Sequence, residues 1–453
     1  MFTNHCSMAR SLNWLERLTL WSYSFLVWLI QPLVRRKLLR RAKQEPEYGH
    51  MLEERFGRYL DGPTAGWIWV HAVSLGEARA AALLIAPLRA RYPGMHLLLT
   101  HSTATGWAAG QSIVRTGDRQ AWLPWDTRDA THRFLQHFRP RIGVLLETEV
   151  WPNLVQTCMQ RGVPLLLVNA RLNEASFASA HRLRLLSRPA YSGLNAVMAQ
   201  SSADAERLAQ LGANVSAIWG NIKFDAEPVQ SQLLNGRDWR NLDRKSVLAL
   251  VSSRDGEEAI LIEALLAHKG NHGSNGSLNE TTQILVVPRH PQRVDMVASL
   301  LLAAGFSVSR RSQWRDHPQK ADVWLGDTMG ELALYYAMSD VALLGGSFEP
   351  FGGQNLIEAA ACGCPLVMGP HTFNFAQAAQ WAEQAGAARR VSDMRSGIQT
   401  ALDWMAKPDA LNQARANCLT FASAHQGASQ KTAEAVLAVL RESERTVPGS
   451  PPT

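Results

Sequence analysis

The chain is short of charge, of cysteine and of the usual phosphate motifs. Asp, Glu, Lys and Arg make up 19% of its 453 residues against 46% apolar ones, a globular balance that excludes a disordered or fibrous protein. Five cysteines (Cys6, Cys158, Cys362, Cys364, Cys418) are odd in number and scattered. They offer neither a disulfide framework nor a zinc-site spacing, and they fit a reducing compartment. No G-x-G-x-x-G, no G-x-x-x-x-G-K-[ST] and no Asp-x-Asp triplet occurs, so the ordinary dinucleotide loop, P-loop and acidic metal pair are not predicted. The uncharged stretch Leu18 to Val34, "LTLWSYSFLVWLIQPLV", reaches 17 residues, the lower limit for crossing a bilayer, where about 20 are usual.

The formal charge of +7 is local. Residues 35–43, "RRKLLRRAK", hold Arg35, Arg36, Lys37, Arg40, Arg41 and Lys43; without these six the balance is +1. The body is close to neutral, which argues against a nucleic-acid surface. Aromatic and aliphatic residues followed directly by cations read as a membrane anchor, spanning or in-plane, with the body on the cytoplasmic face in either case. A secretory signal is excluded because the charges follow the apolar stretch.

Residues 1–43 therefore form an anchor with its basic cluster, and 44–66 a polar connector. A rhythm of short apolar runs follows at 67–73, 96–100, 142–146, 164–169 and 195–200, with helical patterns between them, as in a parallel sheet. The first domain covers 67–222. The polar segment 223–245 reads as a linker. A second series at 246–253, 283–290, 321–327, 340–347 and 365–370 marks a second domain over 246–430, followed by a helix end and tail over 431–453. "HKGNHGSNGSLNETT" (268–282) reads as a flexible loop and "TVPGSPPT" as a disordered tail. The expected fold class is α/β, with two Rossmann-like domains enclosing a cleft and ligands beyond the carboxyl ends of the strands.

Those strand ends carry unusual chemistry. "SLGE" places Glu77 in the first turn of a helix, where it serves either the helix dipole or a substrate. The helix dipole lowers its pKa unless desolvation opposes it. "IGVLL" runs into "ETEVWPN", with Glu147 and Glu149; an acid ending an all-apolar strand requires a partner or a task. "NAR" sets Arg171 near the same edge, as a partner for one of those glutamates or a substrate contact. Lys223 in "GNIKFD" stands where the first domain ends. In the second domain, "VVPRHP" ends a strand with Arg289, and "DTMGEL" forms a turn at Met329, Gly330 and Glu331 whose amides can hold an anion. "GGSFEPFGGQNLIEAA" then gives glycine pairs, a helix start near Asn355, and Glu358 placed to accept from ribose hydroxyls.

Taken together and in this order, "SLGE", "ETEVWPN", "NARL", "GNIKFD", "VPRHP", "GDTMGEL" and "GGSFEPFGGQNLIEAAACGCPLVMGPHTFNF", with the "YSFLVWLIQPL" leader, resemble the Kdo (3-deoxy-D-manno-octulosonic acid) transferases from about residue 18 to about residue 430. The resemblance implies a GT-B fold with an N-terminal membrane-anchoring helix, at the cytoplasmic side of a bacterial inner membrane. It implies inverting, metal-independent transfer of Kdo from CMP-Kdo to the glucosamine disaccharide of tetraacylated lipid A precursor (lipid IVA), with no cofactor and no nucleic-acid partner. By motif, Glu77 would be the general base, with Glu147 and Lys223 stabilising the transition state. CMP would be held by Pro288 and Arg289, by Met329, Gly330 and Glu331, and by Asn355, Leu356, Ile357 and Glu358. In the block usually read as G-G-H-N this chain has Gln354, which cannot carry a proton. A UDP-sugar enzyme of the same fold and a non-enzymatic membrane-associated binding module are the competing readings.

Overall fold

The computed structural model describes residues 12–242, 245–271 and 281–445. The tail 446–453 and most of the loop 268–282 lie outside the described residues. The chain divides into two compact units, one running to Asp225 and resuming at Gln426, the other covering Ala226–His425.

The first unit is a seven-stranded sheet: β1 (Trp67–His71), β2 (His96–His101), β3 (Arg119–Trp122), β4 (Ile142–Leu146), β5 (Leu165–Ala170), β6 (Ala196–Ala199) and β7 (Val215–Ile218). Their order is β3-β2-β1-β4-β5-β6-β7, and every neighbouring pair is parallel. The second unit repeats the plan with β8 (Ser246–Ser253), β9 (Thr282–Pro288), β10 (Val308–Arg310), β11 (Val323–Leu325), β12 (Val341–Leu344), β13 (Leu366–Met368) and β14 (Ala388–Arg390), ordered β10-β11-β9-β8-β12-β13-β14. Strands buried on both faces must be apolar throughout, and β1, β4, β5, β8 and β9 are almost wholly buried. In each sheet the strand order reverses once, between β1 and β4 and between β8 and β12. Loops diverge there, leaving a crevice for ligands.

Three boundaries differ from the sequence reading. The connector 44–66 contains the 3₁₀ turns Pro46–Gly49 and Leu52–Phe56. It packs into the first unit: Glu54 accepts from Trp122 N at 3.1 Å, and the Arg55 guanidinium lies 3.7 Å from the Trp122 ring centre. The linker 223–245 carries the helix Gln230–Leu242. Gly236 is where that helix meets the helix Leu332–Met338, because a Cβ there would stand 2.6 Å from Leu334 O. The boundary expected at 430 falls at 425, since the helix Ala428–Arg445 belongs to the core of the first unit through Ala433, Val436, Leu437 and Leu440.

At the N-terminus the helices Trp14–Leu29 and Gln31–Arg41 follow one another. Among the described residues no helix is long and apolar enough to cross a membrane. The first of the two is built with its polarity inverted. Glu16 is buried, Tyr23 donates to Asp126 Oδ2 at 2.9 Å and Ser24 to Asn153 Oδ1 at 2.8 Å, while Trp21, Phe25 and Trp28 are 71%, 62% and 56% exposed. Trp14, Leu18, Trp21, Phe25 and Trp28 recur at three- and four-residue intervals and so share one face.

Candidate functional site

In the first unit the site grows from the reversal between β1 and β4. After β1 the chain makes two turn residues, and Ser74 caps the helix Leu75–Arg91. Its hydroxyl faces Glu77 N at 3.5 Å and donates to Glu77 Oε1 at 3.3 Å, and Val73 N donates to Oε2 at 2.9 Å. These contacts and the helix start favour the carboxylate, yet the Glu77 pKa is raised to about 7. Desolvation is the largest cause, and the charges of Glu147 and Glu149 push the same way. Burial beats the helix start here, which leaves a carboxyl group poised to exchange a proton near neutrality.

Beyond β4, Glu147 turns out of the ladder with φ at 59°, a left-handed conformation that costs a non-glycine residue about 1–2 kcal/mol. Its amide donates to Val168 O and its carbonyl accepts from Arg171 N. The carboxylate is 4% exposed and is held from both sides, by Lys223 Nζ at 2.6 Å and Arg171 Nε at 3.0 Å. The pair of cations answers the cost of burying that acid. A Cβ on Gly76 would lie 3.9 Å from Lys223 Nζ, so the ammonium stands over the helix start that carries Glu77. Nothing among the described residues of the protein crowds Gly76 itself. Glu149 accepts from Trp151 Nε1 at 2.8 Å, and burial raises its pKa. The structure thus gathers Glu77, Glu147, Lys223 and Arg171, which sequence spacing keeps far apart.

Asn169 was not singled out by its sequence. It has φ at 51° near the end of β5, is buried, and accepts from Ile222 N at 3.0 Å, the residue before Lys223. It therefore fixes the turn that delivers the lysine.

The second unit assembles a different chemistry around β8 and β12. Ser252 also has a left-handed φ, 60°, and Gly345 packs so tightly on it that a Cβ would meet Ser252 O at 2.3 Å; only glycine fits there. Glu257, fully buried, accepts from Arg254 N at 2.8 Å, Gly346 N at 2.7 Å and Phe348 N at 3.0 Å. It bolts the loop after β8 to the loop after β12. The signal for it was present, because "SSRDGEE" after β8 parallels "SLGE" after β1. Arg289 follows Pro288 at the end of β9, donating its amide to Ser253 O at 3.0 Å and its Nε to Gln354 Oε1 at 3.2 Å. The amide of Gln354 is an acceptor for that arginine, a role that requires no proton transfer. Arg254, stacked 4.7 Å over the Phe351 ring, shares this edge. Burial and then the charges of Arg254, Arg289 and Arg293 hold His290 below its ordinary pKa, the mark of a locally positive field.

Met329 and Gly330 form an exposed turn, Gly330 with φ at 79°. Glu331 is bound by Arg311 at 2.9 Å and by the Thr328 hydroxyl. Asn355 caps the short helix Leu356–Ala361, accepting from Ile357 N and donating to Glu358 Oε1, both at 3.2 Å. Leu356 and Ile357 are buried, so that side of the motif is core and the polar side is Asn355 and Glu358.

Two parallel sheets, each with one reversal of strand order, resemble the GT-B glycosyltransferases. The structure of the Anabaena protein HepE in complex with UDP matches 83% of this chain and 100% of its own with a TM-score of 0.54 at 13% identity, which establishes the fold. A family model described as 3-deoxy-D-manno-octulosonic-acid transferase matches residues 50–226. The 3-deoxy-D-manno-octulosonic acid transferase of Bordetella pertussis is 43% identical over 417 residues, 90% of this chain and 96% of that protein. That of Haemophilus influenzae is 33% identical over 78% of this chain and 82% of its own length. The chain belongs to the 3-deoxy-D-manno-octulosonic acid transferase family, and it is a glycosyltransferase.

Proposed function

We propose that this enzyme transfers Kdo from CMP-Kdo to the glucosamine disaccharide of lipid IVA in lipopolysaccharide core biosynthesis, with inversion at the anomeric carbon and without a metal ion. Glu77 takes the proton of the acceptor hydroxyl while that oxygen forms the new bond to the anomeric carbon. CMP departs with the electron pair of the old bond. Glu147, Lys223 and Arg171 form a cluster of net charge +1 suited to the negative charge that develops. The observation that carries the reading is a carboxyl group raised to about 7 beside a buried carboxylate already neutralised by two cations.

The nucleotide half belongs to the second unit. Arg254 and Arg289 supply positive charge for a phosphate, the backbone turn Met329–Gly330–Glu331 supplies donors and acceptors for a base edge, and Glu358 accepts from ribose hydroxyls. The N-terminal helices lie in the headgroup region of the cytoplasmic leaflet of the inner membrane. Their apolar stripe faces the lipid and their cations face anionic headgroups.

The test offers purified protein CMP-Kdo or UDP-sugars together with tetraacylated lipid A precursor. CMP release with addition of Kdo to the precursor is expected; turnover of a UDP-sugar instead overturns the reading.

A further inference from the structure

Two histidines end neighbouring strands of the first unit. His71 closes β1 and His101 closes β2, and both are wholly buried. Among the described residues neither Nε2 has a hydrogen-bond partner; the Nδ1 atoms are engaged. His71 Nδ1 lies 3.1 Å from Thr100 O and 2.9 Å from Thr100 Oγ1, and His101 Nδ1 lies 2.7 Å from Ala72 O. A carbonyl oxygen only accepts, so His101 carries its proton on Nδ1. Burial holds both rings below the ordinary imidazole range, His71 at about 3 and His101 at about 4. His101 is thus a fixed, neutral donor at neutral pH.

What that donor holds is a single peptide group. The peptide between Ala72 and Val73 presents its carbonyl oxygen to His101 and its N–H to Glu77, whose Oε2 lies 2.9 Å from Val73 N. Resonance keeps both ends of a peptide in one plane, so a ring that fixes the carbonyl also fixes the direction of the N–H. A donor on the oxygen polarises the amide and strengthens the bond it makes. The next carbonyl is pinned as well: Val73 O accepts from Thr103 N at 3.2 Å and from Thr103 Oγ1 at 2.7 Å. Behind the ring, a Cβ on Gly110 would stand 2.2 Å from His101 Nε2, so the imidazole is seated in a slot that only glycine leaves open.

We propose that His101 is a positioning residue for the reaction, acting through the Ala72–Val73 peptide to aim one hydrogen-bond donor at the Glu77 carboxylate. The inference rests on the reading of Glu77 as the base. The Val73 bond favours the charged carboxylate and opposes the burial that raises Glu77. The charges of Glu147 and Glu149 also face Glu77, and Lys223 and Arg171 are bound to Glu147. The titratable neighbour of His101 is His71. Since His101 itself is uncharged, its influence on Glu77 runs through the peptide.

An Asn amide nitrogen can take the place of Nδ1, whereas Leu fills the volume without a donor. His101→Asn and His101→Leu are therefore compared with wild type in the full-length enzyme. Glu77 is followed without substrate by carbon-13 NMR of its carboxyl carbon, assigned by its loss in Glu77→Gln, and kcat/KM is measured against pH with CMP-Kdo and lipid A precursor. In His101→Leu the titration midpoint of Glu77 is expected to rise by about half a unit or more, the worth of one weakened hydrogen bond. The ratio of kcat/KM near pH 9 to that near pH 5.5 then grows about threefold or more. His101→Asn, which returns the donor, is expected to restore the wild-type midpoint. An equal midpoint in wild type and His101→Leu, or an unchanged ratio of rates, overturns the inference. A raised midpoint with a kcat/KM that ignores pH in every protein supports the contact and refutes Glu77 as the base, which separates the two readings. Nitrogen-15 NMR of the wild type tests the contact even where His101→Leu does not fold. A proton on Nδ1 and none on Nε2 of His101 is expected from about pH 5.5 to about pH 8, and a proton on Nε2 overturns the inference.

Discussion

Lys223 Nζ lies 2.6 Å from Glu147 Oε1, across 76 residues of sequence, at the end of a strand that is otherwise wholly apolar. Arg171 holds the other oxygen at 3.0 Å. Removing one partner of a buried pair leaves a charge in low dielectric, at a cost of about 3–5 kcal/mol where no other partner remains. Here Arg171 remains, and a smaller loss follows. Lys223→Met is therefore expected to lower the melting temperature and to reduce kcat by roughly 10²- to 10³-fold, as for the loss of one transition-state donor. Adding Glu147→Gln to it should restore most of the stability and none of the rate. Calorimetry and steady-state kinetics on the double-mutant cycle check both parts.

Glu77 gives a pH signature. With its pKa near 7, kcat/KM should rise with pH through about 7 and level off as the carboxylate forms. Glu77→Gln keeps the shape but cannot take the proton, so kcat should fall about 10²- to 10⁴-fold and the acid limb should disappear. Stability moves the opposite way. A carboxyl whose folded pKa lies above its unfolded value contributes stability that is complete below about pH 4.5 and is lost as pH rises through about 7. The melting temperature of Glu77→Gln should exceed that of the wild type at pH 8, and the difference should vanish toward pH 4.5.

Two acids of the second unit should separate cleanly. Glu358→Ala should raise the KM for CMP-Kdo roughly ten- to hundredfold, the worth of charged hydrogen bonds to a ribose, with little change in melting temperature. Glu257→Ala strands the amides of Arg254, Gly346 and Phe348, at about 1–3 kcal/mol for each buried donor left unpaired. It should lower both the melting temperature and the donor affinity. Equal melting temperatures for the two variants would show that Glu257 does not brace the loops.

The exposed stripe can be tested without touching the body. Trp21→Glu, Phe25→Glu and Trp28→Glu together remove three large apolar side chains, each worth about 1.5–3 kcal/mol when buried. Partition onto anionic vesicles should drop by at least 10²-fold, with turnover of a deacylated acceptor preserved. A flotation assay reads the first result and CMP release the second.

Five strands of each sheet were legible as apolar runs, and four strands were not: β3, β7, β10 and β14. All four are sheet edges. "RQAW", "VSAI", "VSR" and "ARR" mix polar and apolar residues because an edge strand is covered on fewer sides and carries charge that blocks further pairing. The same logic hid the helix Gln230–Leu242, whose buried share reduces to Leu233 and Gly236. For the site, Glu147 is conspicuous as an acid directly after an apolar strand, whereas Glu77 stands out at the helix start after β1 and Lys223 at the end of the first domain. Asn169 is not conspicuous, since nothing in sequence announces which backbone amide its side chain will reach, and Glu257 was passed over although "SSRDGEE" parallels "SLGE". The raised Glu77 pKa depends on its burial and on the charges of Glu147 and Glu149, which the pairing of β1 with β4 brings near it.

The last helix completes the core with which the chain begins. Asp225, where the first unit ends, accepts from Gly427 N at 2.7 Å and Ser429 N at 2.5 Å, and Val436, Leu437 and Leu440 pack with Ile68, Val70 and Leu84. On the ribosome, then, the first unit waits: 200 residues of the second unit, Ala226–His425, must be synthesised before the segment that closes its hydrophobic interior exists. A nascent chain stopped at 225 should stay open to protease and chaperone where a chain stopped at 445 does not, and separate expression of the N-terminal half requires residues 426–445 to be supplied with it.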